Sequence, residues 1–170
     1  MEQLKVKRIA FAGMLVALAF VLSFVEYMIP IHLGIPGVKL GLANLVVVVS
    51  LYTLGEKQSF VISMIRVLLV AFTFGNLSAL MYAAGGAILS FGVMVAAKKS
   101  NFFGVNGVSV LGGIFHNIGQ IVVAAFIVEN ARLFYYLPIL LLSGVLAGFL
   151  IGILSGMVTK RIMVLYAKES

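Results

Sequence analysis

Six apolar stretches, at 9–29, 39–54, 58–75, 77–97, 107–128 and 134–160, run through this sequence with only short polar punctuation between them. A hydrocarbon core about 30 Å thick takes roughly 20 apolar residues per helix. The spacing therefore predicts an all-α, polytopic membrane protein of six transmembrane helices. Six such spans would use roughly 120 residues, so the 170 residues are expected to form a single transmembrane domain, 1–170. The breaks are readable: Pro30 to Gly37, Gly55-Glu56-Lys57, Gly75-Asn76, Lys98 to Asn106 and Glu129 to Leu133. Composition agrees: 63% of residues are hydrophobic and 10% charged, with a mean hydropathy of +1.21. Soluble domains run near 45–50% apolar and about 25% charged.

Lys5, Lys7 and Arg8 precede the first apolar run, as in a signal peptide. The run continues to about Met28, too long for a cleaved apolar region, so a first transmembrane helix is expected. With the N-terminus inside, nine cations fall on the cytoplasmic side: Lys5, Lys7, Arg8, Lys57, Lys98, Lys99, Lys160, Arg161 and Lys168. Only Lys39 and Arg132 fall outside, and Arg66 lies within a span. This positive-inside asymmetry predicts cytoplasmic N- and C-termini, and the expected location is a plasma membrane of bacterial type. Tyr supplies the interfacial belt in a chain without Trp: Tyr27, Tyr135 and Tyr136 on the outer side, Tyr52 and Tyr166 on the inner. The net charge of +7 reads as topology rather than nucleic-acid binding, because no basic face or long basic run carries it.

The second apolar segment is short for a span and follows a loop rich in Pro and Gly (Pro30, Gly34, Pro36, Gly37). Two readings stand: backbone dipping into the outer half beside a cavity, or a tilted helix in a thinned bilayer. Small residues form two stripes. Gly144, Gly148, Gly152 and Gly156 repeat every four residues and suit close helix packing inside the bundle. Ala10, Gly13 and Ala17 form a second stripe near the cytoplasmic end, open to internal packing or to a membrane partner.

Polar residues inside spans are costly, so each is a functional candidate. They are Glu26, Lys39, Asn44, Arg66, Ser78, His116, Asn117 and Gln120, nearly all at the midplane or in the outer half. Gly112, His116 and Gln120 share a face at i, i+4 and i+8, where glycine beneath two hydrogen-bonding side chains leaves room for a ligand. The alternative is that His116 and Gln120 bond neighbouring helices. Arg66 has a parallel alternative as the buried partner of Glu26. If Glu26, Lys39 and Arg66 all line a cavity, its charge of about +1 favours an anionic or zwitterionic ligand.

Several classes drop out. There is no Cys, hence no disulfide or thiolate chemistry. No phosphate loop of the G-x-x-x-x-G-K-[ST] type occurs. His32 and His116 stand alone, without metal-ligand spacing. Condensation of prenyl diphosphates requires clustered carboxylates for Mg²⁺. This sequence has no Asp and only scattered Glu, so no enzyme, catalytic residue, metal or cofactor is expected.

The segments 36–44 (Pro-Gly-Val-Lys-Leu-Gly-Leu-Ala-Asn), Arg66 to Leu69 with Phe74-Gly75-Asn76, Gly85-Gly86 and His116 to Gln120 together resemble the Gx transporter family. That family is also labelled heptaprenyl diphosphate synthase component I and is grouped with the substrate-binding S components of energy-coupling factor (ECF) transporters. The resemblance covers nearly the whole chain, through Phe134 to Pro138 and the glycine ladder. It implies an S-component-like bundle that captures a small molecule from outside. It also implies docking, through a stripe that Ala10, Gly13 and Ala17 match loosely, on a transmembrane coupling protein driven by cytoplasmic ATPases.

Residues and resemblance together give the expected function: a membrane-embedded substrate-binding subunit for a small vitamin-like or precursor molecule. Its pocket would be lined by Lys39, Asn44, Arg66, Asn76, His116, Asn117 and Gln120. Two other readings remain: a stand-alone secondary carrier using Glu26 and His116 as a proton relay, and a non-catalytic membrane subunit of an isoprenoid, quinone or flavin assembly.

Overall fold

The computed structural model describes residues 2–29 and 40–168. It contains six α-helices and no strand among them: α1 (Glu2–Met28), α2 (Leu42–Thr53), α3 (Glu56–Phe74), α4 (Leu77–Lys99), α5 (Val105–Ile127) and α6 (Leu137–Lys168). A short 3-10 turn, Ala131–Tyr136, leads into α6. Five helices are long and apolar enough to cross a bilayer. The chain is a membrane-embedded helical bundle.

The second apolar segment departs from its neighbours. It forms 12 helical residues, about 18 Å at 1.5 Å per residue, which does not reach across a 30 Å core. The helix is enclosed instead. Val46 to Leu51 are all buried, on every side of the helix, as befits a helix in the interior of a bundle. Val47, Val48 and Leu51 pack with Phe91, Met94, Ala97 and Val108 from α4 and α5. Val46 packs with Leu15, Ala19 and Ile62 from α1 and α3.

Both ends of α2 are pinned. At its start Gly41 has φ +73°, and its N–H donates to Glu26 Oε1 of α1 at 2.6 Å. At its end the Lys98 ammonium, from α4, donates to the Leu51 carbonyl at 2.6 Å, satisfying one of the carbonyls a helix C-terminus leaves open. Lys98 also lies 5.0 Å from the centre of the Tyr52 ring. The break before α3 is Gly55, with φ +92° and ψ 177°, a backbone conformation open essentially to glycine alone.

Glycines set the spacing around α5. A Cβ on Gly113 would come 2.4 Å from the Gly144 carbonyl oxygen, and one on Gly148 would come 2.7 Å from Val110 Cα. The glycine ladder of α6 thus packs inside the bundle, against α5, as far as Gly152; Gly156 faces open space. On the other side of α5, a Cβ on Gly119 would meet the Gly85 carbonyl at 2.7 Å, and Ser90 Oγ donates to the Gly112 carbonyl at 2.8 Å. Such contacts let two backbones approach without side chains between them.

Elements meet at two ends. At one, Lys99 pairs with Glu56 at 3.0 Å, Lys57 beside Glu56 is exposed, and Lys160 lines a surface groove with Tyr52 and Val105. At the other, the Phe74 ring receives Tyr27, Phe20 and Phe24, with centroids 5.0, 5.7 and 5.8 Å away. Large apolar side chains such as Phe72, Phe126 and Phe149 point outward, as lipid-facing positions require.

Gly113→Val is expected to destabilise the bundle by about 1–3 kcal/mol through overpacking, read as a lower unfolding midpoint in detergent. Gly92→Ala is expected not to lower the midpoint, because no neighbouring heavy atom lies within 4 Å of the added carbon and alanine favours the helix over glycine. Equal effects of the two substitutions would contradict this account of the α5–α6 contact.

Candidate functional site

A cavity of about 480 Å³ lies within the bundle, walled by residues of all six helices. Its lining runs from Glu26, Tyr27, Phe74 and Asn76 at the aromatic end down to Met94, Ser109 and Ile151. The basic end of the bundle, with Lys57, Lys98 and Lys99, contributes nothing to it.

Asn44, Arg66, Asn76, His116, Asn117 and Gln120 all line this cavity, although they come from α2, α3, the α3–α4 break and α5. Lys39 lies outside the described residues. Ser78, one residue from a lining position, is exposed and not part of the wall. Glu26 lines the cavity as well.

The six residues are not equivalent. Asn117 donates through Nδ2 to the Leu140 carbonyl of α6 at 2.6 Å and lies 3.5 Å from Ser143 Oγ. It is therefore interhelical glue on one side and cavity wall on the other. Asn76 is the N-cap of α4, accepting from the Ala79 N–H at 2.8 Å. Asn44 and Gln120 side chains make no hydrogen bond among the described residues, so their amides stay available to the cavity. His116 and Gln120 pack over Gly86: a Cβ there would come 3.1 Å from His116 Cε1 and 2.7 Å from Gln120 Cγ. Only a glycine on α4 leaves these two side chains their place.

Gly112 was expected to open room beneath His116 and Gln120. The room is partly filled, since a Cβ on Gly112 would lie 2.6 Å from Met94 Sδ. Met94, an unbranched and adaptable side chain, forms part of the floor.

Arg66 and Glu26 do not close to ion-pair distance among the described residues. Glu26 acts on Arg66 electrostatically, but its carboxylate is engaged with the Gly41 N–H. Arg66 Nε is buried without a hydrogen-bond partner. Both residues line the cavity rather than neutralising each other within the wall.

Three lining features were not singled out from the sequence. Ser109 stands seven residues before His116, two turns along the same α5 face, and that periodicity was a usable signal. Tyr27 and Phe74 join the lining because their rings meet across α1 and α3, a pairing no local pattern records. The stripe Ala10, Gly13 and Ala17 is exposed on the outer surface of α1. No heavy atom lies within 4 Å of a Cβ added to Gly13, so the stripe does not serve internal packing; Leu15 and Ala19 form the packing face of α1.

No curated protein and no solved structure matches the chain. Residues 15–158, which span α1 to α6 and the whole cavity, match one protein family. The chain belongs to the heptaprenyl diphosphate synthase component I family.

Proposed function

We propose that this protein is a substrate-capture subunit, S-component-like, that takes up a small vitamin-like or precursor molecule from the outer face of a bacterial-type plasma membrane. The supporting observation is the cavity itself. Polar side chains from separate helices, each costly in an apolar bundle, converge on one volume within the 300–1,000 Å³ range of small-molecule sites. The cavity lies away from the basic end, which the positive-inside rule assigns to the cytoplasm. The outward stripe Ala10, Gly13 and Ala17 is a surface on which a transmembrane coupling protein, driven by cytoplasmic ATPases, would move the loaded bundle.

We read the chain as non-catalytic. Its carboxylates are five Glu and no Asp. Glu26 and Glu56 stand at opposite ends of the bundle, and Glu129 is in the turn after α5. A metal-dependent condensation of diphosphates needs carboxylates gathered on one Mg²⁺ site.

The family description favours a second reading, a membrane subunit that accompanies an isoprenoid-synthesising enzyme without performing its chemistry. The two readings separate on what co-purifies. Native mass spectrometry of the gently purified protein is expected to show an added small-molecule mass, lost when Arg66 and His116 are both replaced by Ala. Retention of that mass by the double variant would place the site elsewhere. Recovery of a prenyl-transferring enzyme with no small molecule would favour the second reading.

Orientation can be checked separately, because the chain has no native Cys. Cysteine placed at Asn130 is expected to react with a membrane-impermeant maleimide on intact cells, and cysteine at Lys57 only after permeabilisation. The reverse pattern would turn the cavity to the cytoplasm and end the uptake reading.

A further inference from the structure

Arg66 stands near the middle of α3, on the cavity wall, with Nε buried and unbonded among the described residues. A guanidinium held in an apolar bundle without acceptors is expensive, and the structure persists with that donor unsatisfied. The nearby carboxylate, Glu26, offsets part of that cost electrostatically, but it makes no ion pair with Arg66 among the described residues and accepts the Gly41 N–H through Oε1, so the Nε donor stays unmet. A planar fork of N–H donors is best matched by a planar oxyanion that accepts two parallel hydrogen bonds. Toward the basic end the lining is mostly apolar, with Val48, Met94 and Ile151 beside the single hydroxyl of Ser109, while the Asn44 and Gln120 amides also line the cavity. We propose that the captured molecule is a small organic acid whose carboxylate is received by Arg66, with its less polar body lying against α2, α4 and α6.

This assignment rests on the capture reading and narrows it to a chemical class. The carboxylate could belong to a water-soluble acid arriving from outside or to a fatty acid entering from the bilayer, and one experiment covers both. The full chain in lipid nanodiscs is titrated near pH 7 with acids and their uncharged amides: nicotinate with nicotinamide, biotin with biotinamide, octanoate with octanamide. Unfolding midpoints are recorded at each concentration.

At least one acid is expected to raise the midpoint saturably, with its amide weaker on the order of 30-fold, as for loss of one partner of a buried charged pair. Preference for a water-soluble acid identifies an aqueous ligand, and preference for octanoate a lipid-derived one. Arg66→Lys keeps the charge but loses the fork, and is expected to reduce the acid-over-amide preference; Gly92→Ala is expected to preserve it. The wild-type comparison of acid with amide decides the matter even if Arg66 variants do not fold.

Acids and amides that bind alike would overturn the acid assignment while leaving a capture site in place. So would a co-purifying molecule without an acidic group. No midpoint shift from any acid overturns the assignment too; if no amide binds and no molecule co-purifies, the capture reading falls with it.

Discussion

The approach of α6 to α5 at Gly113 and Gly144 is the contact on which the other dimensions of the bundle depend. With no Cβ on either residue, the two backbones come within van der Waals reach, and the Gly113 position would place a side-chain carbon 2.4 Å from the opposing carbonyl. The same helix meets α4 through Gly85, Gly86 and Gly119. In lipid, helices gain little from burying apolar surface against one another, so close packing and interhelical hydrogen bonds hold them. The Ser90–Gly112 and Asn117–Leu140 bonds lie along these same two seams. Glycine seams on both flanks of α5 draw α4, α5 and α6 into a tight slab whose remaining face can carry His116 and Gln120.

That slab meets a looser half made of α1 and α3, with α2 between. Here contact is through side chains: Leu15, Ala19, Val46 and Ile62 on one level, and the Phe20, Phe24, Tyr27 and Phe74 rings on another. Large side chains separate helix axes further than glycines do. The cavity occupies the junction between the two kinds of packing, where Arg66 from the looser half faces the α5 residues of the tighter one.

Much of this was legible because the relevant patterns are local. Apolar length marks a helix that crosses a bilayer, and the spacing of Gly144 to Gly156 marks a helix face. Residues such as Arg66 and His116 stand out inside spans because water cannot pay for them there. The positive-inside asymmetry then assigns most of the polar residues to one half of the bundle. What escaped were pairings between distant segments. Nothing near Gly112 in sequence announces that Met94 fills the space above it. Nothing near Asn117 announces that half of its amide is spent on Leu140. The outward direction of Ala10, Gly13 and Ala17 was undecided for the same reason. A helix of small and apolar residues offers several plausible faces, and only the neighbours Ile62 and Val46 select Leu15 and Ala19 as the inner one.

The shortness of α2 connects the architecture to the site. A full span in this central position would fill the axis of the bundle from one surface to the other. At about 18 Å, α2 runs from Gly41, held by Glu26 of α1, toward the basic end, where Lys98 holds its last turn. Its first turn, carrying Asn44, begins inside the bundle and faces the cavity. Backbone that starts a helix at this depth has N–H groups without intrahelical partners, and the Glu26 carboxylate takes the one on Gly41. A charged residue on α1 thus satisfies the start of this short helix, and that start forms part of the wall of the cavity beside Arg66. The cavity is therefore built into the order of the helices, and does not arise from loose packing among them.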